Sequence, residues 1–213
     1  MPTENSYKIR TKQKNLFLRV SPGHFATSHS HINYYIDVTT QKTRLSEATA
    51  VAKELASYYE ITTVVDTILC LDGTEVIGAC LARELTKGGY ISVNAHQTVY
   101  VITPEHTVGS QLFFRDNILP MIKGKHVLIL AASVTTGYTA RAAVEAVNYY
   151  GGHVAGISAI FATEKTCAGY PVRAVFDTED LDGYASYPSH DCPLCRAGKK
   201  IDALVNSFGY SKL

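Results

Sequence analysis

The stretch His126-Val127-Leu128-Ile129-Leu130-Ala131-Ala132-Ser133-Val134-Thr135-Thr136-Gly137-Tyr138-Thr139 decides the fold. The aliphatic run Val127 to Leu130, followed within a few residues by turn formers, reads as a buried strand. Beyond the turn, Ala140, Ala143, Val144 and Val147 recur at i, i+3, i+4 and i+7. That period gives a helix one apolar face and leaves Arg141, Glu145 and Asn148 on the other. Between strand and helix, Thr135, Thr136, Gly137, Tyr138 and Thr139, with Ser133 just ahead of them, offer hydroxyls, a glycine and the backbone N–H groups of a helix N-terminus. Donors at the positive end of a helix dipole suit a phosphate monoester.

The same order of strand, loop and helix recurs upstream. Thr63 to Cys70 reads as a central strand, Leu71-Asp72-Gly73-Thr74 as a tight loop, and Val76 to Lys87 as a helix with Ile77, Cys80, Leu81 and Leu85 inward. Gly73 permits a positive φ and Asp72 or Thr74 caps the helix; Gly73 and Thr74 are also candidate ligand contacts. Another helix starts near Ser46, an N-cap with Glu47 in the first turn, and buries Ala48, Val51, Ala52, Leu55 and Tyr59. Strands at Tyr90–Val93, Val99–Thr103, Val154–Phe161 and Val172–Phe176 complete an alternating order. Such alternation predicts an α/β fold, a central parallel sheet flanked by helices, with ligand loops at the carboxyl ends of the strands. Upstream, Leu16 to Val20 is a short strand ended by Ser21-Pro22-Gly23; downstream, a helix is expected near Lys199 to Ser207.

The fourteen residues quoted first resemble the ribose-phosphate signature of type I phosphoribosyltransferases, in which a hydrophobic strand ends in two adjacent carboxylates followed by a Thr-Thr-Gly-x-Thr-type loop. Ala131 and Ala132 stand where that signature has its acids. The segment Phe25 to Asp37, with Ser30 and Tyr34-Tyr35-Ile36-Asp37, resembles the amino-terminal hood of orotate phosphoribosyltransferases. The resemblance implies three parts: an arm and hood over residues 1–45, a phosphoribosyltransferase-like core over 46–179, and a Cys-containing tail over 180–213. It implies a ligand carrying ribose 5-phosphate, either phosphoribosyl pyrophosphate (PRPP) with Mg2+ or a nucleotide, and a homodimer. The implied reaction moves a ribosyl-5-phosphate group between pyrophosphate and a nitrogenous base.

In the family the paired acids hold the ribose hydroxyls, help to organise magnesium and favour the cationic sugar of the transition state. Methyl groups do none of this. The family's mobile Lys- and His-rich loop corresponds to His96 to Arg115, which has His96, His106 and Arg115 but no lysine. Support is thereby lost at both ends of the breaking bond, where electrostatic stabilisation is usually the largest catalytic contribution. Asp37 and Asp66 are candidates for partial replacement. Two readings follow: a phosphoribosyltransferase, or a non-catalytic PRPP or nucleotide sensor or interaction protein that retains the fold.

Twenty basic residues against nineteen acidic ones give a net charge of +1 over 213 residues, so nucleic-acid binding has no electrostatic support. No apolar run reaches membrane-spanning length and the start lacks the apolar centre of a signal peptide, which predicts a cytoplasmic protein. Five cysteines do not form the pattern of a secreted disulfide framework. Cys192-Pro193-Leu194-Cys195 has metal-ligand spacing, with His190 close by, and is a candidate Zn2+ site that Cys167 or a second subunit completes; the alternative is a plain reduced Cys-x-x-Cys. A similar Cys-Pro-Leu-Cys tail occurs in some orotate phosphoribosyltransferases. The chain has no His-x-Glu motif, which argues against a zinc deaminase. His29 and His31 share a face if extended, and face a base, a phosphate, a metal or simply water.

Overall fold

The computed structural model describes residues 6–10, 16–59, 63–87, 93–94, 98–107 and 111–213. In chain order these form β1 (Tyr7–Arg10), β2 (Phe17–Ala26), β3 (Ser30–Asp37), α1 (Thr39–Thr43), α2 (Leu45–Ala56), β4 (Thr67–Cys70), α3 (Glu75–Thr86) and β5 (Tyr100–Ile102). They continue through β6 (Glu105–His106), β7 (Leu112–Phe113), β8 (His126–Val134), α4 (Tyr138–Tyr149) and β9 (His153–Ala162). The last are β10 (Thr166–Cys167), β11 (Tyr170–Phe176), β12 (Ser186–Pro188), α5 (Pro193–Arg196), β13 (Ala203–Asn206) and β14 (Gly209–Lys212). The chain divides into two compact units, Gln41–Val175 and the combination of Met1–Thr40 with Phe176–Leu213.

The Gln41–Val175 unit is built on a sheet ordered β10-β11-β9-β8-β4-β5, in which β5, β4, β8 and β9 are parallel. Strands covered on both faces carry continuous apolar runs rather than alternating ones. Accordingly Ile68, Leu69, Val127, Leu128, Ile129 and Leu130 are all completely buried. Helix α2 buries Ala48, Val51, Ala52 and Leu55, with Tyr59 just beyond its end, as its period predicts. Helix α3 buries Ile77, Leu81 and Leu85, while Cys80 is only half-buried beside Thr49. Helix α4 turns Ala140, Ala143, Val144 and Val147 inward and leaves Arg141, Glu145 and Asn148 exposed.

The other unit holds a sheet ordered β12-β3-β2-β13-β14, with β1 also pairing β2. Two expectations are corrected here. Strand β2 does not stop at Ser21-Pro22-Gly23 but runs on to Ala26, because pairing with β3 resumes after a bulge between Pro22 and Phe25. A bulge absorbs one extra residue without ending a strand. The tail after Lys199 is not helical: Ala203–Asn206 forms β13, held parallel to β2 through Ala203 opposite Phe25 and antiparallel to β14. The α2 start also differs, since Arg44 rather than Ser46 is its N-cap. The strand expected at Tyr90–Val93 lies outside the described residues except for Val93, which is in a turn, and His96 lies outside them too. No helix among the described residues is long and apolar enough to cross a membrane.

Candidate functional site

The β8–α4 connection is as short as the sequence predicts. Strand β8 ends at Val134, Thr135 and Thr136 bend, and Gly137 takes the left-handed conformation (φ 72°, ψ 0°) as the N-cap of α4. The loop is anchored from β9's end: the Thr163 N–H donates to the Val134 carbonyl at 3.0 Å and the Thr163 hydroxyl to the Thr135 carbonyl at 2.8 Å. The Arg141 N–H closes the first helical bond on the Gly137 carbonyl at 2.8 Å. Gly137 makes no side-chain cap and the first turn of α4 carries no acid, so no side-chain charge there repels an anion. Ser133, Thr136, Tyr138 and Thr139 are exposed and Thr135 is half-buried. Backbone N–H groups and hydroxyls of Thr135 to Thr139, with Ser133 ahead of them, thus lie on one short, mostly exposed turn.

The second loop divides its two candidates. Gly73 is exposed with φ 76°, and Asp72 before it is also left-handed at φ 58°, an uncommon state for a residue with a side chain. Thr74, read as a ligand contact, is instead fully buried: its hydroxyl donates to the Leu71 carbonyl at 2.8 Å and to the Leu130 carbonyl at 3.0 Å. It brackets the end of β4 to β8 and faces no ligand.

Ala131 and Ala132 are 1% and 4% exposed, and Ala131 belongs to the apolar cluster that includes Ile129, Val134, Ala140 and Ala143. Asp66, one proposed substitute for the acids of the signature, lies at the far end of the strand from them, accepting the His126 N–H at 2.8 Å and its imidazole at 3.0 Å. Asp37 accepts the Thr39 N–H at 3.0 Å in the other unit. The carboxyl that does meet this stretch is Asp72. Burial pushes it up, against the Ala132 N–H, Lys42 and His106, which pull it down. Lys42, almost completely buried, donates to the Asp72 backbone carbonyl at 2.8 Å. The sequence marks Asp72 only as a helix cap, because the adjacency of two parallel strands' ends is invisible in one chain segment.

Mg2+ prefers octahedral oxygen and is usually held by one or two carboxylates. Positions 131 and 132 supply none, so this end of β8 does not fit a magnesium ion held by paired acids.

A different cluster forms in the Met1–Thr40 and Phe176–Leu213 unit. His24, His31, Cys192 and Cys195 bring their ligand atoms within 4.8 Å of one another. His24 Nε2 lies 3.1 Å from His31 Nδ1, 3.6 Å from Cys192 Sγ and 3.7 Å from Cys195 Sγ; Cys195 Sγ lies 3.3 Å from His31 Nδ1. Burial and the neighbouring His24 hold His31 below its ordinary value, toward neutral imidazole. The two tail cysteines and His31 were legible as candidates, but His24 was not, and its partner His190 by spacing is not among the four. His29 is exposed. Cys167 is elsewhere, its thiol 3.6 Å from the Gly137 carbonyl. The one signal that could have found His24 is the grouping of histidines between residues 24 and 31 beside a two-thiol motif still short of ligands.

No protein-family model matches the sequence. A search of curated proteins returns no match either. Solved structures do match. UMP synthase of Leishmania donovani superposes with a TM-score of 0.57 at 22% identity, over 76% of this chain and 34% of that one. The chain therefore spans about a third of that protein's length. Orotate phosphoribosyltransferase of Mycobacterium tuberculosis H37Rv, in complex with PRPP, gives 0.50 at 17% identity over 70% and 83% of the two chains. Adenine phosphoribosyltransferase of Thermoanaerobacter pseudethanolicus gives 0.50 at 15% identity over 82% and 96%. At these identities the likeness is one of fold.

Proposed function

From the type I phosphoribosyltransferase fold that this chain adopts, we propose that Thr135 to Thr139 captures the 5-phosphate of PRPP or a nucleotide, and that ribosyl transfer is absent or very slow. The observation that carries this reading is the left-handed Gly137 turn that opens the N-terminus of α4 directly after β8. Phosphate capture by backbone donors needs no carboxylate, whereas ribose-hydroxyl capture and stabilisation of a cationic sugar do. The buried methyl groups of Ala131 and Ala132 remove the second task and leave the first. Ser133 and Gly73, both exposed, belong to the ligand-facing surface in this reading, and Mg2+ enters only as a companion of PRPP's own oxygens. The protein works as a cytoplasmic homodimer in nucleotide metabolism, a part of the proposal supported by the resemblance to orotate phosphoribosyltransferases.

The test pairs binding with turnover. Calorimetric titration with ribose 5-phosphate, PRPP and orotidine monophosphate should show binding that inorganic phosphate competes away. Isotope exchange between PRPP and orotate should show no turnover approaching about 1 per second, the low end of ordinary enzymes. Turnover at that rate would overturn the non-catalytic half; failure of all three ligands to bind would overturn the phosphate half.

A further inference from the structure

The His24, His31, Cys192 and Cys195 cluster has the dimensions of a filled coordination shell. In a tetrahedral Zn2+ site, with bonds of about 2.0–2.1 Å to nitrogen and 2.3 Å to sulfur, the ligand atoms lie about 3.3 Å apart for two nitrogens and about 3.6 Å apart for nitrogen and sulfur. The observed separations are 3.1 Å for the nitrogens and 3.3, 3.6 and 3.7 Å for three of the four nitrogen–sulfur pairs, with all four ligand atoms within 4.8 Å of one another. The outer atoms are set for the same task. His24 Nδ1 lies 2.8 Å from the Lys199 carbonyl, which accepts only from an N–H, so Nε2 presents its lone pair to the cluster. Without a cation that lone pair is left to a proton from His31 Nδ1 or from one of the two thiols crowded into the same small space.

The backbone explains how His24 arrives there. Across the bulge Pro22 pairs with Tyr34 and Phe25 with Ile32, so Gly23 and His24 together oppose Asn33. A Cβ on Gly23 would meet the Phe25 ring at 2.6 Å and Asp202 Oδ2 at 2.8 Å, so the approach requires glycine. His24 also fixes the tail: its N–H donates to Asp202 Oδ2 and its carbonyl accepts the Asp202 N–H, both at 2.7 Å, one residue before β13 joins β2. His24 and Cys192 are separated by 168 residues, so a bond between their segments closes a long loop.

We propose that His24 Nε2, His31 Nδ1, Cys192 Sγ and Cys195 Sγ bind one Zn2+ as a closed structural site that clips the carboxyl-terminal strand β13 to β2. Four protein ligands with two thiolates leave no position for water, which marks the site as structural rather than catalytic, and soft sulfur with imidazole selects zinc over magnesium or calcium. Binding releases the two thiol protons, while each imidazole stays neutral, a proton on His31 Nδ1 passing to Nε2. The site lies in the unit that does not contain Thr135–Thr139.

Protein purified without chelator should contain about one zinc per chain by elemental analysis. After removal of the metal, titration with Co2+ should produce the visible bands of a tetrahedral thiolate site. His31→Ala and Cys195→Ser, which leave the His24–Asp202 pairing intact, should each weaken Zn2+ binding by more than about 100-fold, the upper effect of losing a mere second-shell partner. His190→Ala should bind as wild type. Amide hydrogen exchange over Ala203–Asn206 should quicken when zinc is removed and recover when it is restored. The proposal is overturned if wild type takes up neither metal, if the two thiols form a reversible disulfide with no metal at any stage, or if His190→Ala loses zinc while His31→Ala keeps it.

Discussion

Replacing Gly137 with alanine isolates the feature on which the phosphate reading depends. Gly137 sits at φ 72°, where an L side chain costs about 1–2 kcal/mol through contact between Cβ and the following carbonyl. The added Cβ would also lie 3.2 Å from Cys167 Sγ, close enough to force a shift of a few tenths of an ångström in a thiol that can turn. Conformation is therefore the larger cost. If the loop stays as it is, the 1–2 kcal/mol appears as lost stability; if it relaxes, the amides turn away and the same free energy appears as an affinity loss of about 5–30-fold. Asparagine, which tolerates the left-handed region, should lose less than alanine by both measures. Urea unfolding of wild type, Gly137→Asn, Gly137→Ala and Gly137→Ala with Cys167→Ala, each with calorimetric titration of ribose 5-phosphate, separates the two costs. The Cys167 change should recover only the small contact part. Alanine and asparagine variants equal to wild type in both stability and affinity would refute the reasoning, because the loop would then owe nothing to the left-handed turn.

Thr74→Val should lower stability by about 1–2 kcal/mol without changing ribose 5-phosphate affinity, since the lost hydroxyl serves the Leu71 and Leu130 carbonyls, each of which keeps a backbone donor; an affinity loss at unchanged stability in parallel urea and calorimetric measurements would return Thr74 to the ligand. For Asp66, burial opposes ionisation, but the His126 N–H and imidazole, with Lys125, hold the carboxyl below its ordinary value. A depressed acid stabilises the fold above its unfolded value and loses that contribution as pH falls through the folded one, so wild type should lose stability from about pH 4 downward more steeply than Asp66→Asn in urea unfolding at stepped pH. Parallel pH profiles for the two proteins would remove Asp66 from the account.

What the sequence discloses and what it hides follow from the range of the interactions. The β8–loop–α4 unit was legible because each part is locally determined: an aliphatic run, a glycine where the turn needs a positive φ, and an apolar stripe on the helix. The burial of α2 and α3 was legible for the same reason. The start of α2 was not, because Ser46 is a better capping residue than Arg44 and the helix nonetheless begins at Leu45. The Pro22-Gly23 pair looks like a strand end in isolation and becomes a bulge only because β3 resumes pairing beyond it. Ala203–Asn206 has too little pattern of its own to overrule a helical reading; its strand character comes from β2, more than 170 residues earlier in the chain, and from the turn to β14. His24 was hidden for the same reason.

The two alanines of β8 carry the sharpest conflict between local pattern and chemistry. Carboxylates at these two positions would need a polar recess, but Ala131 is closed within an apolar cluster and Ala132 is almost as buried. An aspartate at 131 would place an ionised group among Ile129, Val134 and Ala143, at a desolvation cost that its solvation elsewhere never repays. The packing has therefore adapted to methyl groups. The nearby carboxyl comes instead from Asp72, on the neighbouring strand's loop, in a left-handed backbone that a residue other than glycine rarely adopts. Its carboxyl is engaged by the Ala132 N–H of β8 and its carbonyl by Lys42 of α1, so the Asp72 loop is tied to the strand that leads into the Thr135–Thr139 loop. A loop pair joined in this way can keep the amides of α4 in position for an anion without offering ribose hydroxyls two free carboxylates, which is the physical ground for separating phosphate capture from transfer in this chain.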